Sequence, residues 1–197
     1  MTISPMMQRH ALNLPNLLTY ARIVMVPVVA GLVMWGGAFA HWLALGIFIF
    51  AAITDFFDGW LARRWQLQSS LGRMLDPIAD KLLVAAALLA LVGDNTIEGA
   101  HLWAAIIILC REVLVSGLRE YLAELRVSVP VTQLAKWKTA IQFIAMCFLI
   151  AGPAGDVVLP YNTQIGLGML WMAAALTLYT GYDYFRAGVG HMMDDRT

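Results

Sequence analysis

Charged residues are scarce in this sequence. Only 13% of its 197 residues are Asp, Glu, Lys or Arg, against about 25% in an ordinary soluble domain, and 60% are hydrophobic. The length is usual for one domain, but so little charge excludes an ordinary water-soluble composition. We therefore expect the chain to fold within a lipid bilayer.

Cysteine is also rare. The two cysteines, Cys110 and Cys147, lie inside apolar segments and lack the spacing of a metal site. A disulfide framework is therefore not expected, and both thiols are interpreted as small apolar packing groups. Because no internal repeat or linker interrupts the sequence, a single membrane domain over residues 1–197 is the simplest organisation.

Six apolar segments account for most of the chain. A helix needs about 20 residues to cross about 30 Å of hydrocarbon. At that window length the apolar segments are residues 17–35, 42–61, 78–92, 102–122, 137–151 and 165–185. The sequence thus predicts an all-α integral membrane protein with six transmembrane helices. Residues 2–14 are expected to form a short helix along the membrane surface, before Pro15 breaks the chain. A cleaved signal peptide is the alternative for the first segment, since residues 38–40 imitate a cleavage site. The apolar run is too long for it, however, and that site lies too far from Met1.

Lysine and arginine are absent from one side of this six-span arrangement. The three loops without either residue are 36–41, 93–101 and 152–164. Every Lys and Arg lies at or near the opposite side, so the positive-inside rule makes both termini and residues 55–81 cytoplasmic. The acids of the far side are expected to be solvated loop charges: Asp94, Glu98 and Asp156.

Carboxylates are concentrated where the second span ends. If that span continues as a helix, Asp58, Gly59 and Ala62 share a face with Asp55, because they follow it by three, four and seven positions. Two carboxylates and two very small residues therefore lie on one surface.

A second stripe of the same kind opens the third span. Eight residues separate Arg63 from Gly72, and Asp76 and Asp80 then follow at intervals of four. Two such helices could bring four carboxylates to one point, which at membrane depth would be very costly without cations. Carboxylate oxygens without Cys or His suit Mg²⁺ or Mn²⁺, and four of them could hold two ions.

Simpler interpretations exist for parts of this pattern. Small residues also serve close helix packing in membranes, although their alternation with four acids favours a site. Asp76 before Pro77 is typical of a helix N-cap followed by the first helical residue. If the helix instead begins near Ser69 or Ser70, Pro77 is a kink close to the site.

The whole pattern resembles a known signature. Asp55-x-x-Asp58-Gly59-x-x-Ala62-Arg63, eight residues, then Gly72-x-x-x-Asp76-x-x-x-Asp80 is similar to that of the CDP-alcohol phosphotransferases, with every fixed position filled. The resemblance implies six transmembrane helices, a divalent-metal site, commonly a homodimer, and release of CMP from a CDP-linked donor.

Three further stretches narrow the resemblance within that family. They are "NLPNLLTYARI" at residues 13–23, "REVLVSGLREYLAE" at 111–124 and "KWKTAIQ" at 136–142. They are similar to members that use CDP-diacylglycerol and sn-glycerol 3-phosphate and make phosphatidylglycerophosphate, on the route to phosphatidylglycerol and cardiolipin in bacteria. The implied setting is the bacterial inner membrane, among membrane lipids, with the active site facing the cytoplasm. No nucleic-acid partner is expected.

The resemblance also implies roles by position. The metal ligands would be Asp55, Asp58, Asp76 and Asp80. Asp80 would also be the general base, although the spacing alone leaves open which of the four carboxylates acts so. The nucleotide would be bound by Asp58, Gly59, Ala62, Arg63 and Gly72.

A polar edge on the first span adds to the nucleotide candidates. Asn16, Thr19 and Arg22 recur at intervals of three. All three could face the nucleotide, with Asn16 and Thr19 as the binding candidates, or they could be interhelical hydrogen bonds and a snorkelling Arg.

The acceptor's phosphate requires cations, and four candidates follow. They are Arg111, Arg119, Lys136 and Lys138. Arg111 lies deepest in an apolar span, where a guanidinium needs a partner or a bound anion. Phosphate binding and a structural ion pair with Glu112, Glu120 or a signature aspartate both remain open for it.

Two other functions are alternatives to this one. A sibling enzyme would use inositol phosphate, serine or phosphatidylglycerol as acceptor. A divalent-cation transporter would carry polar groups through the full membrane depth, whereas here the acids gather at one end.

Overall fold

The structure is a computed structural model that describes the backbone of residues 14–65, 70–124 and 133–194. Side chains are described within these ranges except for residues 14–16, 55–73, 76, 123–124, 183–184 and 186–194. The helix expected over residues 2–14 falls outside the described residues, apart from Leu14, which begins the first span.

Every regular element within the described ranges is an α-helix. The helices are α1 (Leu14–Trp35), α2 (Ala38–Trp65), α3 (Ser70–Gly93), α4 (His101–Glu124), α5 (Gln133–Asp156) and α6 (Asn162–Asp194). This confirms the all-α prediction.

Within the described residues, four stretches are long and apolar enough to cross a membrane. They are Leu17–Trp35, His101–Leu122, Gln133–Asp156 and Asn162–Tyr182, and Ala38–Thr54 is a shorter apolar stretch of α2. Their outward side chains include large apolar groups such as Trp103, 65% exposed, and Val113, 71% exposed. Such surfaces are suited to lipid rather than water, so the chain is a helical membrane protein.

The helices form two compact units, Met1–Asp94 and Asn95–Thr197, which we call unit 1 and unit 2. In unit 1, α1 packs against both α2 and α3. The buried face of α2 is built mostly from alanine: Ala40, Ala44 and Ala51, with Phe48 between them. Small residues at this spacing let helix backbones approach closely, which compensates for the weak hydrophobic drive between helices in lipid.

The ends of α2 and α3 that carry the acidic signature lie at the same end of unit 1. Only four residues separate Trp65 from Ser70. Five Cα–Cα steps cover at most about 18 Å, so the end of α2 and the start of α3 lie no further apart than that. The opposite end of unit 1 is closed by a turn in which Gly36 and Gly37 have φ of 77° and 86°, values that favour glycine.

One far-side acid differs from expectation. Asp94 was expected to be solvated, but its side chain is only 10% exposed, and its Oδ2 lies 3.7 Å from His41 Nε2. The expectation was wrong because it inferred exposure from the position of Asp94 in a loop. Helix α2 instead places His41 against the end of α3, beside Asp94. Glu98 is exposed, as expected.

In unit 2, α6 packs against both α4 and α5. Helix α5 breaks near its end, where Gly152 has φ 48° and ψ −136° and Pro153 follows. Asn162, at the start of α6, donates through Nδ2 to the carbonyls of Phe148 at 2.8 Å and Gly152 at 3.1 Å. Asp156 accepts from the backbone N–H and hydroxyl of Thr163, which satisfies an N–H that α6 leaves unpaired at its start.

Candidate functional site

The acidic signature lies on helical backbone throughout its described length. Positions 55, 58, 59 and 62 belong to α2, and positions 72, 76 and 80 belong to α3. The spacings therefore act as helical spacings, and each set lies on one face of its helix. The side chains of the signature residues other than Asp80 lie outside the described part of the structure.

Two local predictions can be tested on α3. The helix begins at Ser70, so Pro77 lies within it and Asp76 precedes a residue that is already helical. The N-cap interpretation of Asp76 is therefore wrong, because a cap must precede the first turn. Asp80, one turn further on, is exposed. An acid intended to meet a water-soluble acceptor needs this access.

The polar edge of α1 is buried. Thr19 and Arg22 are each 1% exposed, while the side chain of Asn16 is not described. A snorkelling Arg22 would place its guanidinium in water, and this burial excludes that interpretation. Thr19 and Arg22 therefore face the interior.

The cations of unit 2 divide into two groups. Arg119 and Lys136 are exposed. Lys138 is 3% exposed, and the side chain of Arg111 is 13% exposed. The structure thus brings only two of the four predicted cations into the interior.

Glu112 joins those two cations. Its Oε1 accepts a hydrogen bond from Lys138 Nζ and another from Arg111 Nη1 at 3.3 Å. Neighbouring residues on a helix do not face each other, so both Arg111 and Glu112 must turn toward the same space. Lys138 of α5 contacts the same carboxylate oxygen. We call Arg111, Glu112 and Lys138 the charged triad.

Helix α6 fixes the third side of the charged triad. Arg111 Nη2 donates to Thr180 Oγ1 at 3.2 Å. The next residue, Gly181, leaves room for the arginine, since a Cβ built there would lie 3.3 Å from Arg111 Cγ. Residues of three helices, α4, α5 and α6, therefore determine where the guanidinium lies.

Two buried side-chain oxygens have no hydrogen-bond partner among the described residues. They belong to Gln142, one helical turn from Lys138 on α5, and to Thr177, one turn from Thr180 on α6. A buried oxygen of this kind costs free energy unless water or a ligand supplies a donor. The interior of unit 2 is thus more polar than its apolar sequence suggests.

The sequence identified Arg111 and Lys138 as candidates but missed how they are joined. From the sequence, Glu112 is one of several possible partners of Arg111, and nothing points to Thr180. The adjacency of Glu112 to a deep arginine was an available signal. No pattern in the sequence linked either residue to Lys138 or Thr180.

A helical membrane protein with paired acids on two successive helices has the features of a lipid-head-group transferase, and comparison with known proteins agrees. The profile of the CDP-alcohol phosphatidyltransferase family matches residues 12–179. The chain belongs to this family. All eight fixed positions of the signature, and the charged triad, fall inside the matched range.

Curated relatives share most of the length of the chain. A protein of Rickettsia typhi is 47% identical over 175 residues, which are 89% of this chain and 96% of the relative. One of Cereibacter sphaeroides is 38% identical over 93% of this chain and 99% of the relative. One of Pseudomonas fluorescens is 37% identical over 93% and 94%. All three are named CDP-diacylglycerol–glycerol-3-phosphate 3-phosphatidyltransferase.

Proposed function

We propose that this chain transfers the phosphatidyl group of CDP-diacylglycerol to sn-glycerol 3-phosphate, giving phosphatidylglycerophosphate and CMP. The observation that carries the proposal is the similarity, over about nine tenths of the chain, to relatives whose name states both substrates. The complete acidic signature on α2 and α3 supports the same chemistry.

The donor set fits a divalent-metal site. Asp55, Asp58, Asp76 and Asp80 offer only hard oxygens, and the helical backbone puts each pair on one face. Mg²⁺ or Mn²⁺ bound there, in two copies, would neutralise the acids and the charge of the donor's pyrophosphate.

The transfer step itself needs a base, and Asp80 is the residue in that role. Asp80 accepts the proton of the acceptor's 1-hydroxyl, whose oxygen forms a bond to the phosphorus that bears diacylglycerol. The bond from that phosphorus to the CMP oxygen breaks, and CMP leaves. The exposure of Asp80 supports this role, because the base must exchange its proton with solvent.

The nucleotide half of the donor needs space as well as charge. Gly59, Ala62 and Gly72 present almost no side chain and would admit the cytidine and ribose, with Asp58 on the same face. Arg63 would lie near the nucleotide phosphates. Asn16 and Thr19 of α1 are further candidates for this part of the site.

In this proposal, cations of unit 2 bind the acceptor's phosphate. Lys138 is buried, Arg111 is partly buried, and both donate to one oxygen of Glu112. Two cations that meet at one point suit a phosphate better than dispersed surface charge. Arg119 and Lys136 are exposed and would attract the acceptor from water rather than enclose it.

The surroundings follow from the same proposal. The chain would be one membrane domain with six spans, in the bacterial inner membrane, with the signature facing the cytoplasm. The absence of Lys and Arg from the loops at residues 36–41, 93–101 and 152–164 supports that orientation. A homodimer is part of the proposal through family resemblance alone.

The test is the release of CMP by the purified protein in detergent with CDP-diacylglycerol and Mg²⁺ or Mn²⁺. Glycerol 3-phosphate, inositol phosphate, serine and phosphatidylglycerol are offered separately. We expect turnover with glycerol 3-phosphate alone, lost in Asp80→Asn and on chelation of the metal, and retained in Glu98→Gln, which alters an exposed far-side acid. Turnover with another acceptor would replace the proposed substrate, and no turnover with any acceptor would remove the enzymatic proposal.

A further inference from the structure

The charged triad contains one residue that the proposed function does not use. Arg111 and Lys138 are assigned to the acceptor's phosphate, whereas Glu112 has the same sign of charge as the phosphate. An acid that only repelled the acceptor would be a poor choice at this position. Its contacts indicate a different role.

One oxygen of Glu112 receives both cations. Lys138 Nζ from α5 and Arg111 Nη1 from α4 both donate to Oε1. The side chains of Lys138, Arg111 and Glu112 are 4%, 13% and 13% exposed, so the contacts are largely removed from water. Two cations held so close in the interior would repel each other and lose hydration, and a shared carboxylate offsets both effects.

The carboxylate does not by itself prevent phosphate binding. An ammonium group has three N–H donors and a guanidinium has five, and each contact with Glu112 uses one. Two positive charges and one negative charge leave a net charge of +1 on the triad, which still attracts a phosphate dianion. Arg111 is also oriented from α6, because its Nη2 donates to Thr180 while its Nη1 donates to Glu112.

We propose that Glu112 is a positioning residue for the acceptor's phosphate, holding Arg111 and Lys138 around one point before the acceptor arrives. This inference rests on the proposed function, in which those two cations bind that phosphate. Preorganised cations lose less freedom when the ligand binds, so the effect belongs to acceptor affinity more than to the chemical step.

The experiment compares Glu112→Gln, Glu112→Asp and Glu120→Gln with the unaltered full-length enzyme in detergent. Glu120 is an exposed acid of the same helix and is the matched control. KM and kcat are measured separately for glycerol 3-phosphate and for CDP-diacylglycerol, and the thermal midpoint of each variant is recorded.

We expect Glu112→Gln to raise KM for glycerol 3-phosphate about tenfold, the size expected for one charge-assisted hydrogen bond, with little change in KM for CDP-diacylglycerol. Glu112→Asp keeps the charge but is one methylene shorter, so a smaller rise is expected. Glu120→Gln should match the unaltered enzyme. If Glu112→Gln does not fold, the rise in Glu112→Asp is the deciding value.

Two outcomes would overturn the inference. A lower thermal midpoint with KM for glycerol 3-phosphate unchanged would make Glu112 a structural counter-ion only. A lower KM for glycerol 3-phosphate would make it a competitor of the phosphate. Neither outcome would affect the proposed function, which fails separately if the unaltered enzyme does not use glycerol 3-phosphate.

Discussion

At the scale of residues, the arginine of α4 shows how a charge is kept inside an apolar bundle. A guanidinium in a membrane span is expensive unless it is paired, and Arg111 has partners on two sides, Glu112 and Thr180. Its stem needs space as well, and Gly181 provides it. The position of one cation therefore depends on three residues, one of which has no side chain.

The Gly181→Ala variant tests the position of Arg111 separately from the stability of the protein. The new Cβ would lie 3.3 Å from Arg111 Cγ, so the arginine must shift by a few tenths of an ångström. Alanine in a helix interior is more favourable than glycine by about 1 kcal/mol, so the thermal midpoint should not fall. We expect KM for glycerol 3-phosphate to rise by about threefold to tenfold nonetheless.

The matched control is Gly168→Ala on the same helix, where a Cβ would meet nothing within 4 Å. It should gain the same helix propensity and leave KM unchanged. Equal KM values for the two variants would show that the fit of Gly181 to Arg111 does not affect the acceptor.

The sequence predicts that Arg111 needs a partner, but it does not identify that partner. Physical chemistry required that Arg111 be paired or bound to an anion, and the ion pair with Glu112 agrees with one of the two interpretations left open. Thr180 is 69 positions away along the chain, so its contact with Arg111 depends on how α4 and α6 pack. Such a contact has no local signal.

At the scale of elements, helices extend beyond what the apolar pattern marks. The first span was predicted at residues 17–35 and α1 is Leu14–Trp35, whereas the third was predicted at 78–92 and α3 begins at Ser70. The turns of α3 before residue 78 are polar because they carry the signature, so the apolar pattern does not include them. The intervals of four from Gly72 through Asp76 to Asp80 indicate a helix there instead.

The end of α5 gives a test at this scale. Asn162→Leu would leave the carbonyls of Phe148 and Gly152 without their side-chain donor in a position where Asn162 is 5% exposed. We expect the free energy of unfolding to fall by about 1–3 kcal/mol, because unsatisfied buried carbonyls are costly. Denaturation by SDS in mixed micelles measures it.

Gln164→Leu is the control, since Gln164 is exposed on the same helix. It should leave the unfolding free energy within about 0.5 kcal/mol of the original. A comparable loss in both variants would show that the Asn162 contacts are not what secures the junction between α5 and α6.

At the scale of the whole molecule, the distribution of charge determines which end of the helices faces the cytoplasm. The sequence predicts this from the loops that contain no Lys or Arg, and no contact within either unit is needed for it. Which helices pack together within each unit has no comparable sequence signal, because helix packing in lipid depends on shape rather than on pattern.

Cysteine labelling tests the orientation. In a background of Cys110→Ala and Cys147→Ala, the two added changes are Ser70→Cys at the start of α3 and Val157→Cys in the far-side loop, where Val157 is 88% exposed. A membrane-impermeant maleimide should label Val157→Cys in intact cells and Ser70→Cys only after permeabilisation. The reverse pattern would place the acidic signature outside the cell.

The central claim concerns which bond is made, and the lipid product tests it most directly. The purified protein is given CDP-diacylglycerol and glycerol 3-phosphate labelled with ¹⁸O in its 1-hydroxyl, and the lipid and CMP are examined by mass spectrometry. We predict phosphatidylglycerophosphate that carries the label and CMP that does not, because the acceptor's oxygen attacks the phosphorus. Unlabelled phosphatidic acid with CMP would mean that water is the acceptor, and would contradict the transfer proposed here.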